Sequence, residues 1–148
     1  MPVTFRSATL DDLPSIMAIE QRAPTSVHWT EALHRRPLEN GLVWVAEHEG
    51  EICGFACAKV VAAEWEIENI VVAPEFQRRG VADRLMGALI GEAQKQAGTK
   101  IVLEVRESNL PARRLYEKHG FAPVGRRKSY YQHPVEDAVL YELRLSSE

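Results

Sequence analysis

The stretch that most limits what this chain can become runs from residue 66 to residue 91. Asn69 to Ala73 is a run rich in β-branched residues, suited to a strand, and Pro74 stops it. Apolar residues then return at Val81, Leu85, Leu89 and Ala93 with the spacing of an amphipathic helix. A strand therefore passes into a helix through a short basic turn, Gln77-Arg78-Arg79-Gly80-Val81-Ala82. Gly80 and Ala82 place little side-chain bulk over the first helical amides, which have no acceptor within the helix. A phosphate oxygen supplies one, aided by the helix dipole and by the guanidinium groups of Arg78 and Arg79. Charge-assisted hydrogen bonds at roughly 1.5–3 kcal/mol each exceed a dipole contribution of about 0.3–1 kcal/mol, so the amides dominate. The turn reads as a pyrophosphate cradle; the competing reading is an ordinary basic surface connector. It matches neither the P-loop nor the dinucleotide-binding glycine pattern.

The rest of the composition sets bounds. A chain of 148 residues is expected to form one domain, 1–148. Its 45% hydrophobic and 26% charged residues are those of an ordinary soluble protein, and no apolar run approaches the ~18 residues of a membrane span. The first residues lack the apolar core of a signal peptide, so a cytoplasmic protein is expected. A net charge of −3 argues against general affinity for nucleic acid, though not against a local basic patch. Cys53 and Cys57 fall in one strand-like run; four residues at ~3.3 Å each separate them by about 13 Å, beyond disulfide reach. The histidines (His28, His34, His48, His119, His133) show no metal spacing, so no metal is expected.

Taken in order, Val3 to Arg6 reads as a strand, and Thr9 with Asp12 three residues on is an N-cap signal. The helix that follows buries Leu13, Ile16, Met17 and Ile19 or Glu20, and Pro24 ends it. A second helix starts near Trp29-Thr30-Glu31 with Ala32, Leu33 and Leu38 inward, and Pro37 is a candidate truncation point. After the Asn40-Gly41 turn, Leu42 to Glu47 and Ile52 to Val61 form a hairpin about Glu49-Gly50, followed by a strand from Glu64 to Val72. Gly98 is a stop signal for the long helix, and Lys100 to Val105 alternates as a strand. Asn109 caps a short helix running through Ala112, Leu115 and Tyr116 to Gly120. Phe121 to Arg126 and Ala138 to Leu145 read as closing strands, with a polar, aromatic loop from Arg127 to Pro134 between them. The order βααβββαβαββ indicates an α/β fold with a mixed, mostly antiparallel sheet and helices on both faces.

The strand Asn69-Ile70-Val71-Val72, the QxxGxA turn and the helix after it resemble the acetyl-coenzyme A (acetyl-CoA) site of the GCN5-related N-acetyltransferase (GNAT) family. The resemblance implies a single-domain GNAT fold of about seven strands. It implies that strand-end amides at Ile70, Val71 and Val72 bind the pantetheine arm and acetyl carbonyl, while Arg78, Arg79, Gly80, Val81, Ala82 and Asp83 hold the pyrophosphate. A second segment, Leu103 to Phe121, is similar to the LEVRxSNxxAxxLYxxxGF pattern of the RimI-like ribosomal-protein-alanine N-acetyltransferases. That branch acetylates the N-terminal alanine of a small-subunit ribosomal protein. Ile19 to Ala23, Trp29 to Glu31, Tyr130-Tyr131 and Glu136 to Ala138 also look like this branch.

Acetyl transfer from a thioester to an amine needs a base, because an α-amino group with a pKa of about 7.7–8.0 is mostly protonated at neutral pH. The resemblance assigns that role to Glu104, acting through a water; the structural alternative is an exposed carboxylate or a partner of Arg106. Glu64, Glu66 and Glu68 alternate on one face of the neighbouring strand, and Glu66 or Glu68 could share the role or attract a cationic N-terminus. Tyr116, with an ordinary phenol pKa of about 10, is the proton donor to the departing thiolate unless it is a core tyrosine with a satisfied hydroxyl. Asn109 caps its helix and, by the resemblance, also touches the pantetheine arm. A strand-end amide near Val71 or Val72 would polarise the thioester carbonyl. Tyr130 and Tyr131 would wall the pocket for the first peptide residues, or pack as a surface pair on the sheet edge. A lysine amine, about 2–3 units more basic than an α-amine, costs roughly 3–4 kcal/mol more to deprotonate, which favours N-termini.

Asp83, Trp65, Glu68 and Ser26 to Trp29 depart from the branch's usual residues, mostly on the acceptor side. The alternatives are therefore a GNAT enzyme with another acceptor (a small amine, an antibiotic or a protein lysine) and a non-catalytic coenzyme A (CoA)-binding module. A monomer or weak dimer is expected, with no membrane partner.

Overall fold

The computed structural model describes residues 2–22, 29–132 and 134–145. Seven strands alternate with four helices: β1 (Thr4–Ser7), α1 (Leu13–Arg22), α2 (Glu31–Glu39), β2 (Val43–His48), β3 (Glu51–Val61), β4 (Glu64–Val72), α3 (Val81–Lys95), β5 (Lys100–Arg106), α4 (Leu110–Lys118), β6 (Ala122–Tyr131) and β7 (Glu136–Arg144). The strands form one sheet in the order β1-β2-β3-β4-β5-β7-β6. The β4–β5 pair is parallel, and the β1–β2, β2–β3, β5–β7 and β6–β7 pairs are antiparallel. Element order and α/β class are those the sequence indicates. The chain packs as two compact units, Met1–Lys59 with Ile67–Leu89, and Val60–Glu66 with Ile90–Glu148.

In the first unit α1 begins as expected. The backbone amide of Thr9 donates to Asp12 Oδ2 at 2.8 Å, and a 3-10 turn, Leu10–Asp12, leads into the helix. Arg6 adds a two-pronged grip on Asp12 at 2.9 and 3.0 Å, which holds that carboxyl below the usual range. The Pro24 helix stop lies outside the described residues. The core joins Leu13, Ile16 and Ile19 of α1 and Leu38 of α2 to Val43, Val45, Phe55, Cys57 and Val71 of the sheet. On β3, Gly54 faces the other way from Phe55, and a Cβ there would stand 3.3 Å from Val81 and Leu85 of α3. Helices therefore cover both faces of this part of the sheet.

Helix α2 corrects the expected inner face. Leu33 is 55% exposed, while His34, Pro37 and Leu38 are buried. The cause is polar. Glu20, 1% exposed, accepts from Trp29 N at 3.0 Å and Asn69 Nδ2 at 3.2 Å and pairs with His34 Nε2 at 2.8 Å, which rotates His34 inward in place of Leu33. Pro37 does not truncate the helix, which ends at Glu39; it lies inside the helix, where it has no amide to donate to the Leu33 carbonyl. Both cysteines are free and buried.

In the second unit β4 and β5 pair over Glu64–Lys100, Trp65–Ile101 and Glu66–Val102, and β5 pairs with β7 over its whole length. Trp65, Ile101, Leu103, Val105, Phe121, Val139 and Tyr141 are buried here. The polar loop expected from Arg127 to Pro134 is largely strand, since β6 continues to Tyr131. A wide bulge, with register passing from Arg127–Ala138 to Tyr131–Glu136, absorbs the turn-forming residues Lys128 and Ser129 without ending the strand. Ser129 adopts φ +52°, and its amide donates to Asp137 Oδ1 at 2.8 Å.

The end of α3 also differs from expectation. The left-handed residue is Ala97 (φ +56°), not Gly98. Gly98 N donates to Ala93 O at 2.8 Å and Ala97 N to Gln94 O at 3.1 Å, a Schellman pair with alanine in the glycine position. Gly98 is required for space instead: a Cβ would meet Ala93 O at 2.9 Å and the Trp65 ring at 3.0 Å. Ala97→Gly is expected to stabilise the protein by about 1 kcal/mol, raising the melting temperature by roughly 2–4 °C. Gly98→Ala is expected to destabilise it by about 1–3 kcal/mol through overpacking, and calorimetric melting of the two variants checks both.

Candidate active site

In the first unit β4 ends firmly. Ala73 N donates to Cys53 O at 2.8 Å, the 3-10 turn Pro74–Phe76 follows, and Gln77 Nε2 returns to Val72 O at 3.2 Å. Val71 is buried, and Ile70 and Val72 are half-buried. Arg78 and Gly80 then both take left-handed backbone angles, φ +64° and +78°, and Gly80 O accepts from Arg84 N at 3.1 Å to open α3. No backbone carbonyl among the described residues accepts from the amides of Gly80, Val81 or Ala82. Arg78 is exposed and engages no described residue, the Arg79 guanidinium lies 5.8 Å from the Phe76 ring centre, and Asp83 sits in the first turn. A Cβ on Gly80 would meet nothing within 4 Å, so the glycine is needed for its backbone angle rather than to clear a crowded turn. Amides without a backbone acceptor, open space beside Gly80 and an exposed guanidinium suit the oxygens of a diphosphate such as that of acetyl-CoA.

The second unit gathers Glu104, Glu66, Tyr130 and Tyr131; Glu68, exposed on β4, belongs to the first unit. Glu104 lies on β5 between the buried Leu103 and Val105, with its side chain 22% exposed. Its cationic partner is not Arg106, as one expectation had it, but Arg127, whose Nε donates to Oε1 at 3.0 Å. The β6 bulge brings Tyr130 to the same carboxylate. The charge of Glu104 raises the Tyr130 pKa, with a further contribution from Glu66. Tyr131 packs edge-on to Tyr130 at 5.1 Å, and burial followed by the Glu104 charge raises its pKa too. Arg106 is occupied elsewhere: it donates to Gln132 O at 3.0 Å and Pro134 O at 3.2 Å, pairs with Glu136 at 3.2 Å, and stacks 4.5 Å from the Tyr131 ring centre. Glu64 pairs with Lys100 at 3.9 Å.

Tyr116 projects from α4 against Phe121 at 6.0 Å and Tyr141 at 5.9 Å. Part of its surface remains accessible, and its hydroxyl bonds to no described residue. Burial, with smaller contributions from Tyr131 and Tyr141, pushes its pKa up to about 12. The helix is oriented by Tyr141, whose hydroxyl donates to Glu117 at 2.7 Å and accepts from Arg113 at 3.0 Å. Asn109 caps α4 through Oδ1, which accepts from Ala112 N at 3.3 Å, and its Nδ2 has no partner among the described residues.

Arg127 and Asp137 are the site-forming residues that sequence reasoning missed. The available signal was an arginine two strands removed from a candidate base, which no local pattern exposes. Among the described residues no group of three or more His, Cys, Asp or Glu could hold a metal ion, and no helix is long and apolar enough to cross a membrane.

Comparison with known proteins gives a consistent result. Residues 10–121 match the model of the acetyltransferase (GNAT) family. The chain is 36% identical over 146 residues to the ribosomal protein bS18-alanine N-acetyltransferase of Escherichia coli, covering 97% of this chain and 98% of that one. It is 37% identical over 124 residues to the protein of the same name from Haemophilus influenzae, covering 83% and 84%. The crystal structure of the ribosomal-protein-S18-alanine N-acetyltransferase from Escherichia coli superposes with a TM-score of 0.90 at 34% identity, covering 99% of this chain and 96% of that one. With three quarters of its length matched by the family model and its fold shared along almost the whole chain, this protein belongs to the acetyltransferase (GNAT) family.

Proposed function

We propose that the protein transfers the acetyl group of acetyl-CoA directly to the N-terminal amine of a protein, with the N-terminal alanine of the small-subunit ribosomal protein bS18 as the acceptor. The observation that carries the reading is the open start of α3, where no backbone carbonyl among the described residues accepts from the amides of Gly80, Val81 or Ala82 and a diphosphate would. The substrate assignment draws on the two relatives named for that acceptor.

Acetyl-CoA supplies an activated acyl carbon and a thiolate leaving group. In this reading the turn amides and Arg78 and Arg79 bind its diphosphate, while the backbone of Ile70, Val71 and Val72 and the Nδ2 of Asn109 bind its pantetheine arm. A strand-end amide at Val71 or Val72 polarises the thioester carbonyl. Glu104 accepts the acceptor's proton through a water, leaving the amine lone pair free to attack. Tyr116, its pKa pushed up to about 12, keeps its proton across the working range and donates it to the departing sulfur. Glu66, Glu68, Tyr130 and Tyr131 receive the first residues of the acceptor.

Thiol release from acetyl-CoA is expected with peptides beginning Ala-Arg and only weakly with lysine peptides or polyamines; faster release with either of the latter would reassign the acceptor. Glu104→Gln is expected to lower turnover by about 10²–10⁴-fold while CoA still raises the melting temperature as in the unaltered protein. Gly80→Val, which cannot adopt φ +78° without strain, is expected to lose that CoA-induced thermal shift, and a full shift would remove the cradle from the account. The raised Tyr116 value means that folding favours the protonated phenol. That contribution to stability is present below the ordinary value of about 10 and is lost as pH rises through about 12. Absorbance titration of the unaltered protein minus Tyr116→Phe should therefore show a phenol ionising near pH 12, and an ionisation near 10 would contradict the burial of this side chain.

A further inference from the structure

Three arginines cluster near the β6–β7 end of the second unit, and their attachments differ. Arg106 is held by two carbonyls, a carboxylate and a ring, and its side chain is 22% exposed. Arg126 is shared between Glu107 and Asp137. Arg127, 56% exposed, makes a single contact with a carboxylate, through Nε to Glu104 at 3.0 Å, and its guanidinium carbon lies 5.7 Å from the Tyr130 ring centre. Among the described residues it is the one cation paired with Glu104.

The geometry points to Arg127 as a specificity-determining residue: in the resting protein its guanidinium occupies the cationic position beside Glu104 that the acceptor's α-ammonium takes when it binds. The inference rests on the proposed reading of Glu104 as the base for an N-terminal amine. Such an amine arrives charged, as RNH3⁺, and must give up a proton near Glu104 before it reacts. An ammonium replaces a guanidinium there at little electrostatic cost, because each presents positive N–H donors to the same carboxylate. A neutral acceptor offers no such compensation. Displacement is also easy: an exposed ion pair with one hydrogen bond is worth at most about fivefold in an equilibrium constant. The released guanidinium has water and the exposed Tyr130 face beside it.

The test is calorimetric titration of the CoA-loaded protein with a peptide beginning Ala-Arg and with the same peptide acetylated at its N-terminus. Arg127→Met and, as a second variant, Arg127→Gln are expected to bind the free-amine peptide roughly two- to fivefold more tightly than the unaltered protein. Arg127→Lys should restore the original affinity, and the acetylated peptide should bind all four proteins alike. Unchanged or weaker binding of the free-amine peptide by both neutral variants, or an equal gain for the acetylated peptide, overturns the role of Arg127 and leaves the proposed activity standing if thiol release is still observed. Failure of the free-amine peptide to bind any of the proteins overturns both.

Discussion

The donors at the start of α3 are useful only because the helix is fixed against β3, and that contact passes through Gly54. A side-chain carbon there would stand 3.1 Å from the Val71 carbonyl and 3.3 Å from both Val81 and Leu85. A side chain there would make these neighbours give way by a few tenths of an ångström, immediately behind Gly80, Val81 and Ala82. Backbone groups meant for a ligand cannot be tied to neighbouring protein atoms, so their position has to come from packing immediately behind them. Val81 and Leu85, both 3% exposed or less, supply it.

A second constraint acts on the opposite face of the same sheet. Burying the carboxylate of Glu20 would be costly without partners, and it is met by a backbone amide, a histidine ring and the amide side chain of Asn69. Those partners come from the approach to α2, from α2 itself and from β4, so one buried acid links three segments distant in sequence. Asn69 immediately precedes the stretch Ile70 to Val72. The strand that leads into the turn is thus steadied from behind by polar contacts as well as by apolar ones.

Sequence reasoning recovered what local rules govern. Pro74, Gly80 and the stripe at Val81, Leu85 and Leu89 mark the strand-turn-helix passage, because stop signals and helical periodicity act within a few residues. The bounds of β4 match the structure residue for residue. Errors arose where a distant partner decided a local choice. His34 displaced Leu33 from the interior because Glu20 required it, and Gly98 is needed for space beside Trp65 while Ala97 holds the left-handed position. The ion pair of Glu104 with Arg127 spans 23 positions and two strand pairings, and it depends on the register that sets Arg127 opposite Ala138 of β7. No pattern of residue types encodes such a register directly.

The irregularity in β6 also bears on how the molecule behaves in company. This strand forms one border of the sheet and is open to solvent along almost its entire length. A straight border of that kind invites another chain to dock its own backbone alongside, the first step towards fibrils or unwanted oligomers. The left-handed Ser129, tethered to Asp137, breaks the repeat of outward-pointing donors and acceptors, and Arg126, Arg127 and Lys128 add mutual repulsion between like copies. Straightening that border to improve its regularity would therefore risk solubility as well as the arrangement around Glu104.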